Sequence, residues 1–539
     1  MKKNNFFMNA LILSGTSLFL NTVVISFKVY IAGQLGAEGM GLYQLIISIF
    51  ILGATFATSG ISLTVTRLVS ETIARGENGK TTAIMHRCFL FSASLGAAAG
   101  LLLFISSEFV GSSLLTNTDT VPSLRILSLS LPFMSLSSCF SGFFLAIRKV
   151  SRSSIIQILE EFSQIIITII LLQYFLPLGY AASCIAVVIG VTGGEMISCS
   201  CAFIFYKIEN RKQIKKKVRT NGIFKNILNF TMPLSASSYL RSELSSIENL
   251  LIPISLKKSG SSSGEALSMF GLLKGMVIPV LFFPAVFISA FSRLLMPEFA
   301  DARAVGDDEK IKKIGAKVVQ SALIFSILVT GIFMIFSKDL GNLIFKSPQA
   351  GEMLFLLAPL VPLMYLDGIV DGMLKGLNEQ VAVMKYNIIE AAMRVGLVYF
   401  IIPLLGFDGF MLTIYVGNIV NSMMSLNKFI KVADIKFSFS LWIIRPLLSV
   451  FAAGFPIYVL FKHFINIEFP TVLCIILTII FYVVFIFLTG CVVKEDIIWI
   501  LDKSGITKFI KTSININNKP KADIKSFLKK ENTLKKSKV

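Results

Sequence analysis

The sequence predicts an all-α integral membrane protein of about 14 transmembrane helices, built as two six-helix lobes plus two extra C-terminal helices. Three observations carry this. The 539 residues are 54% hydrophobic and 15% charged, with a mean hydropathy of +0.77, whereas a soluble domain carries about 25% charged residues. Fourteen stretches are apolar enough to cross a bilayer, which takes roughly 20 residues each. The first twelve of these read as one six-span unit written twice.

In order, the stretches lie near 9–33, 40–66, 83–107, 121–147, 153–176, 180–206, 227–256, 266–295, 315–336, 350–374, 380–403, 408–428, 441–461 and 469–492. The start, MKKNNFFMNALILSG, has the positive end and apolar run of a signal peptide. That run continues to about Gly33, too long for the core of a removed signal, so the first span is expected to stay. Lysine and arginine in short loops remain cytoplasmic. With the N-terminus inside, about forty of the 51 basic residues fall in or beside cytoplasmic segments and about six in the outer loops. Both termini are therefore expected in the cytoplasm.

The net charge of +20 is then topology, and no nucleic-acid partner is expected. The run KIENRKQIKKKVRTNGIFK (207–225) and the lysine-rich tail from Lys494 to Lys538 read as surfaces beside anionic lipid. Each basic residue there adds about 1 kcal/mol of attraction. The stretch DIIWILDKSGITKFI (496–510) reads as an amphipathic segment along the interface.

The repeat is visible without gaps over thirty residues. LPFMSLSSCFSGFFLAIRKVSRSSIIQILE (131–160) parallels VPLMYLDGIVDGMLKGLNEQVAVMKYNIIE (361–390), with Pro132 on Pro362, Gly142 on Gly372 and Glu160 on Glu390. Then LGYAASCIAVVIG (178–190) parallels LGFDGFMLTIYVG (405–417), and TRLVSE (66–71) parallels SRLLMPE (292–298). An even unit places both copies in the same orientation, related by a pseudo-two-fold along the membrane normal. The organisation is thus an N-lobe (1–206), a basic linker (207–226), a C-lobe (227–430), an extra span pair (431–492) and a basic tail (493–539).

Charges inside spans are costly and mark sites. The segment YLRSELSSIENLL (239–251) puts Arg241, Ser245 and Glu248 on one face of the seventh span. Two readings stand: an ion-pair network packing the lobes, or the wall of a wet central cavity. Ser14, Asn21 and Lys28 share a face of the first span, and Lys274 lies in the outer part of the eighth. Lys28, Arg241 and Lys274 are therefore expected to converge on one basic pocket, the chemistry that holds phosphate; for Lys28 and Lys274 the alternative is snorkelling to the outer surface. Glu390 and Arg394 are four apart, acid first, the favourable order for a helical pair. Glu160 and Gln164 occupy the matching positions of the fifth span, and Glu195, Asp367 and Asp371 stay unassigned. The acids Glu160, Glu195 and Glu390, with Arg394, are candidates for structural ion pairing or for coupling to Na+ or H+.

Other chemistry finds no support in the sequence. The seven cysteines lie in or beside spans without metal-ligand spacing and read as buried free thiols. ARGENGKT (74–81) ends like a phosphate-binding loop, but alanine replaces its first glycine and no buried strand precedes it. No catalytic dyad, metal cluster or cofactor motif appears, so neither enzyme chemistry nor a cofactor is expected.

At QLGAEGMGLYQLIISIF (34–50), TRLVSETIARG (66–76), FFPAVFISAFSRLLMPEFADA (282–302) and the repeated LGFDGF region, the chain resembles the stage V sporulation protein B group of polysaccharide transporters. That group belongs to the multidrug/oligosaccharidyl-lipid/polysaccharide (MOP) exporter superfamily. The resemblance reaches to about residue 492. It implies a bacterial cytoplasmic-membrane protein with two lobes opening alternately, acting in cell-wall or surface-polysaccharide synthesis and in sporulation. The implied cargo is a polyprenyl-pyrophosphate-linked saccharide such as peptidoglycan lipid II, moved to the outer leaflet by a monomer. In the similar lipid II flippases, basic residues of spans 1, 2 and 8 hold the pyrophosphate and spans 13 and 14 form a groove for the lipid tail. Lys28 and Lys274 are comparable in place, while Asn21 and Gly33 stand where relatives often carry arginine. The rival functions are a cation-coupled multidrug exporter relying on acids such as Glu195 or Asp367, and a membrane scaffold working through its basic tail.

Overall fold

The structure, a computed structural model, describes the backbone of residues 3–115, 117–210, 223–435, 437–463 and 471–492; within these, the side chains of 3–14, 78–79, 114, 223–237, 289–294, 297 and 461–463 are not described. The expected basic linker (in its central part), the amphipathic segment and the tail lie outside the described residues. Helices account for nearly all of the described backbone, and no strand occurs among the described residues.

The first half holds α1 (Lys3–Thr58), α2 (Ile61–Ala74), α3 (Asn78–Phe109), α4 (Thr120–Ala146), α5 (Val150–Phe175) and α6 (Tyr180–Asn210). The second holds α7 (Ile223–Lys258), α8 (Ser263–Phe270), α9 (Ile278–Phe282), α10 (Ala285–Val305), α11 (Asp308–Ile335), α12 (Ser337–Phe345), α13 (Pro348–Leu357), α14 (Val361–Gly376), α15 (Gln380–Phe400), α16 (Ile402–Leu405) and α17 (Phe407–Ala433). The extra pair is α18 (Arg445–His463) and α19 (Thr471–Leu488), packed on each other and on α11.

Among the described residues, eleven helices are long and apolar enough to cross a membrane, against fourteen expected stretches. The difference has two causes. The first and second stretches run together as Gly15–Ala74, because α1 is broken but not ended at Gly36, whose φ of 69° and ψ of −178° suit only glycine. The seventh and eleventh stretches are α7 and α15, helical over 36 and 21 residues but too charged to be counted among the eleven. Their charges turn out to meet.

The repeat is written into the element boundaries. Ala146 and Gly376 close their helices and Val150 and Gln380 open the next ones, each pair 230 residues apart. Arg148 and Asn378, at the same spacing, both take left-handed φ, 58° and 67°. The Lys149 amide donates to the Phe144 carbonyl at 2.9 Å and the Glu379 amide to the Leu374 carbonyl at 2.8 Å, which is the same turn made twice.

At one end of the molecule each half has its own core, one including Val65, Phe143 and Tyr206, the other Phe299, Val370 and Phe429. At the opposite end a single core joins them, through Leu42, Phe270, Leu281 and Leu357. The seam between halves runs along α1 beyond Gly36. There Gly41 and Gly271 let backbones touch: a Cβ on Gly41 would lie 2.1 Å from the Leu267 carbonyl oxygen, and one on Gly271 would lie 2.0 Å from that of Ala37. Further along, Ser246 donates to the Ser48 carbonyl (2.9 Å) and Asn249 to the Ser48 hydroxyl (3.1 Å). Ser242 and Thr55 share a hydrogen bond at 3.0 Å, and the Tyr239 hydroxyl reaches the Phe56 carbonyl at 3.3 Å.

Candidate functional site

Three elements of the second half build a buried chain of charges beside this seam. Gly271–Val277 is a π-helical turn, whose extra residue per turn re-aims side chains and often marks functional sites. It carries Lys274. From α7 comes Glu248, whose side chain is only 7% exposed. From α15 come Glu390 and Arg394, one turn apart and therefore on one face. Lys274 Nζ and Arg394 Nη2 both reach Glu248 Oε1, at 3.1 and 2.8 Å, and Arg394 Nη1 reaches Glu390 Oε1 at 3.0 Å. Two cations and two anions leave the group neutral, which is what makes such burial tolerable. The Arg394 stem lies against α17 at Gly417, where any Cβ would come within 2.9 Å of its Cγ and Cδ. The Nε of Arg394 is buried and has no hydrogen-bond partner among the described residues.

The structure separates residues that the sequence grouped. Arg241 and Ser245 are exposed on α7, whereas Glu248 is buried, because Glu248 turns toward Lys274 and Arg394. Lys28 is exposed on α1, with Asn21 half-buried on the same helix. Of the three cations expected to converge on one pocket, Lys28, Arg241 and Lys274, the structure ties Lys274 into the buried chain through Glu248 and places Arg241 and Lys28 on exposed positions of α7 and α1. Helical spacing fixes which residues share a face, and only the packing of other helices decides what that face meets.

Two further polar clusters lie apart from this chain. Between α14 and α17, Asn421 Nδ2 donates to Asp367 Oδ2 (2.9 Å), Ser425 to Asp371 Oδ1 (3.4 Å) and Asn387 Nδ2 to Asp371 Oδ2 (3.2 Å). Asp367 Oδ1 and Asn421 Oδ1 are buried without hydrogen-bond partners among the described residues. In the first half, a cavity of about 260 Å³ is lined by Thr58, Ser138, Ser141, Glu160, Glu195 and Ser198 among others. Ser198 donates to Glu160 Oε2 at 2.9 Å, and Glu195 lines the same cavity. Six of the seven cysteines are buried, all are free, and no group of metal-holding side chains occurs among the described residues. Sequence reasoning missed the Arg394–Glu248 and Lys274–Glu248 pairs and the Asn387, Asn421 and Ser425 contacts. No periodicity signals a partner on a different helix.

Residues 6–302 match the polysaccharide biosynthesis protein family. The chain belongs to this family. Within it, the chain is similar to Stage V sporulation protein B of Bacillus subtilis (strain 168), with 24% identity over 436 residues, 79% of this chain and 83% of that protein. It is also similar to Sporulation protein YkvU of the same strain, with 21% identity over 361 residues, 66% of this chain and 79% of that protein. Among solved structures, lipid II flippase MurJ in an inward closed conformation matches with a TM-score of 0.65 at 15% identity, over 89% of this chain and 97% of that one. An inward-facing multidrug resistance MATE family transporter of the MOP superfamily matches with a TM-score of 0.61 at 16% identity, over 79% and 98%. At these identities the likeness is one of fold. The chain thus shares its fold with multi-pass membrane proteins whose solved members include a lipid II flippase and multidrug transporters.

Proposed function

We propose that the protein is a flippase that carries a polyprenyl-pyrophosphate-linked saccharide from the inner to the outer leaflet of a bacterial cytoplasmic membrane. The observation that carries the reading is the set of membrane-embedded cations, Lys28, Arg241, Lys274 and Arg394, on the helices that flank the seam between halves. A drug exporter for organic cations has no use for them; an anionic head group does. The wider coverage of the lipid II flippase fold, 89% against 79%, agrees, as does the likeness to a sporulation protein. The head group passes between the halves while the tail stays in lipid, and no covalent step is needed. Loop charge puts both termini in the cytoplasm, which makes the end with separate cores the cytoplasmic one. On this reading the protein works as a monomer, and its basic linker and tail lie on anionic lipid.

The alternative is a cation-coupled multidrug exporter of the same superfamily. It is favoured by one feature, the paired carboxyls of Glu160 and Glu195 in a serine-lined cavity. On the flippase reading the same carboxyls are candidates for the coupling ion, Na+ or H+.

The test is reconstitution in liposomes with fluorescent lipid II, measuring the head-group fraction exposed to an impermeant quencher. Wild-type protein moves the lipid and Arg241→Ala, checked for correct insertion, loses the movement. Absence of movement by folded wild-type protein, with or without an ion gradient and across other glycan lipids, would leave the exporter reading.

A further inference from the structure

We infer that Glu248 is a stand-in for the cargo's phosphates: it occupies Lys274 and Arg394 while the transporter is empty and yields them when a pyrophosphate arrives. The inference rests on the flippase reading and assigns a role to an acid that this reading does not use.

One carboxylate oxygen, Glu248 Oε1, takes both cations, which therefore lie within about 6 Å of each other. That is the spacing at which two basic groups share one anion, and a pyrophosphate offers more charge and more acceptor oxygens than a carboxylate does. Arg394 is held ready rather than saturated. Glu390 fixes one nitrogen of its fork, Gly417 leaves room for its stem, and its buried Nε has no partner among the described residues. An unpaired buried donor costs about 1–3 kcal/mol, which an added anion oxygen would recover.

Displacement has a consequence for the seam. A buried carboxylate without its cations is costly, so Glu248 must move or find another cation. On α7 it is flanked by Ser246 and Asn249, the two residues that hold α1 through Ser48. Arrival of the anion therefore works directly on the hydrogen bonds that join the halves.

The experiment titrates inorganic pyrophosphate, and in a second arm geranyl pyrophosphate, into the purified full-length chain in nanodiscs, with heat as the readout. If Glu248 competes, Glu248→Gln tightens pyrophosphate about tenfold, the scale of one displaced charge contact. Glu248→Asp, which keeps the charge but cannot reach both cations, gives a smaller gain. Adding Lys274→Gln or Arg394→Gln to Glu248→Gln removes the gain. Tighter binding of the geranyl form only would place the competition at a lipid-linked head group, whereas equal gains would extend it to free pyrophosphate. Unchanged or weaker binding by folded Glu248→Gln overturns the inference, as does absence of pyrophosphate binding in every variant. If Glu248→Gln does not fold, Glu248→Asp decides by the same sign, and collapse of both makes Glu248 a structural anchor and overturns the inference too. Failure of lipid movement with this affinity order intact would sink the flippase reading alone.

Discussion

Gly271→Ala should open the molecule at the end where the halves share a core. The new methyl would sit 2.0 Å from the Ala37 carbonyl oxygen and 2.3 Å from the Gly41 amide nitrogen. Ordinary contact begins at 3.4 Å, so the two backbones must part by about 1.4 Å. Neither neighbour is a side chain that can swing away. Overpacking of this kind costs about 1–3 kcal/mol, and here the cost falls only on the conformation that brings α1 against the π-helical turn. An equilibrium between closed and open forms would therefore shift by roughly 5–150-fold toward opening. Spin labels at Thr118 and Lys346, both exposed and on different halves, in a chain with its native cysteines replaced, should show a new longer distance in pulsed electron resonance. Gly33→Ala, whose Cβ meets nothing within 4 Å, is the control and should leave the distances unchanged. If Gly271→Ala keeps the wild-type distances and the wild-type thermal midpoint, the seam is not backbone-tight and the argument fails.

Arg394→Ala should destabilise the protein by about 3–5 kcal/mol, read as a lowered thermal midpoint, because it strands Glu390 in a buried site and leaves Glu248 with Lys274 alone. Gly190→Ala should be milder than Gly271→Ala, although its Cβ would also fall 2.0 Å from a neighbour, because that neighbour is the Thr168 hydroxyl, which can rotate; equal losses of stability would refute the distinction. Tyr482→Phe should cost about 1 kcal/mol by removing the 2.8 Å bond to the Ile324 carbonyl that ties α19 to α11, seen as a small drop in thermal midpoint. Deletion after residue 494 should leave lipid movement in vesicles largely intact, whereas a scaffold working through its tail would fail.

Composition made the membrane class legible, because it is a sum over many residues. The repeat was legible too: Pro132 over Pro362 and Gly142 over Gly372 keep the spacing of 230 at which the structure repeats one turn, at Arg148 and Asn378. The apolar stretches 227–256 and 380–403 were legible as helices despite their charges, because charges such as Glu248 and Arg394 are only a few residues in long apolar runs. The candidate site was legible as residues but not as pairs. Arg394 on Glu390 follows from a spacing of four, but Arg394 on Glu248 joins positions 146 residues apart. Nor does the sequence show that Lys274 sits in a π-helical turn, since no residue type demands one.

The repeat also shows where the halves diverge. In both, the helix that opens at Val150 or Gln380 packs on the helix that opens at Tyr180 or Phe407 through a glycine, Gly190 or Gly417. Gly190 lies against the Thr168 hydroxyl and the Gln164 carbonyl, and Gly417 against the Arg394 side chain, at matching places in the two halves. Beside each stands the same acid, Glu160 or Glu390. With glutamine as its neighbour, Glu160 turns to Ser198 and Glu195 and lines a cavity. With arginine as its neighbour, Glu390 is spent on an ion pair, and the arginine carries positive charge on to Glu248. The same placement thus leaves one lobe with two carboxyls lining a cavity and the other with two buried cations sharing one carboxylate. Had both lobes kept glutamine, Glu390 would lack its arginine; had both kept arginine, Glu160 would be drawn into an ion pair and away from Ser198.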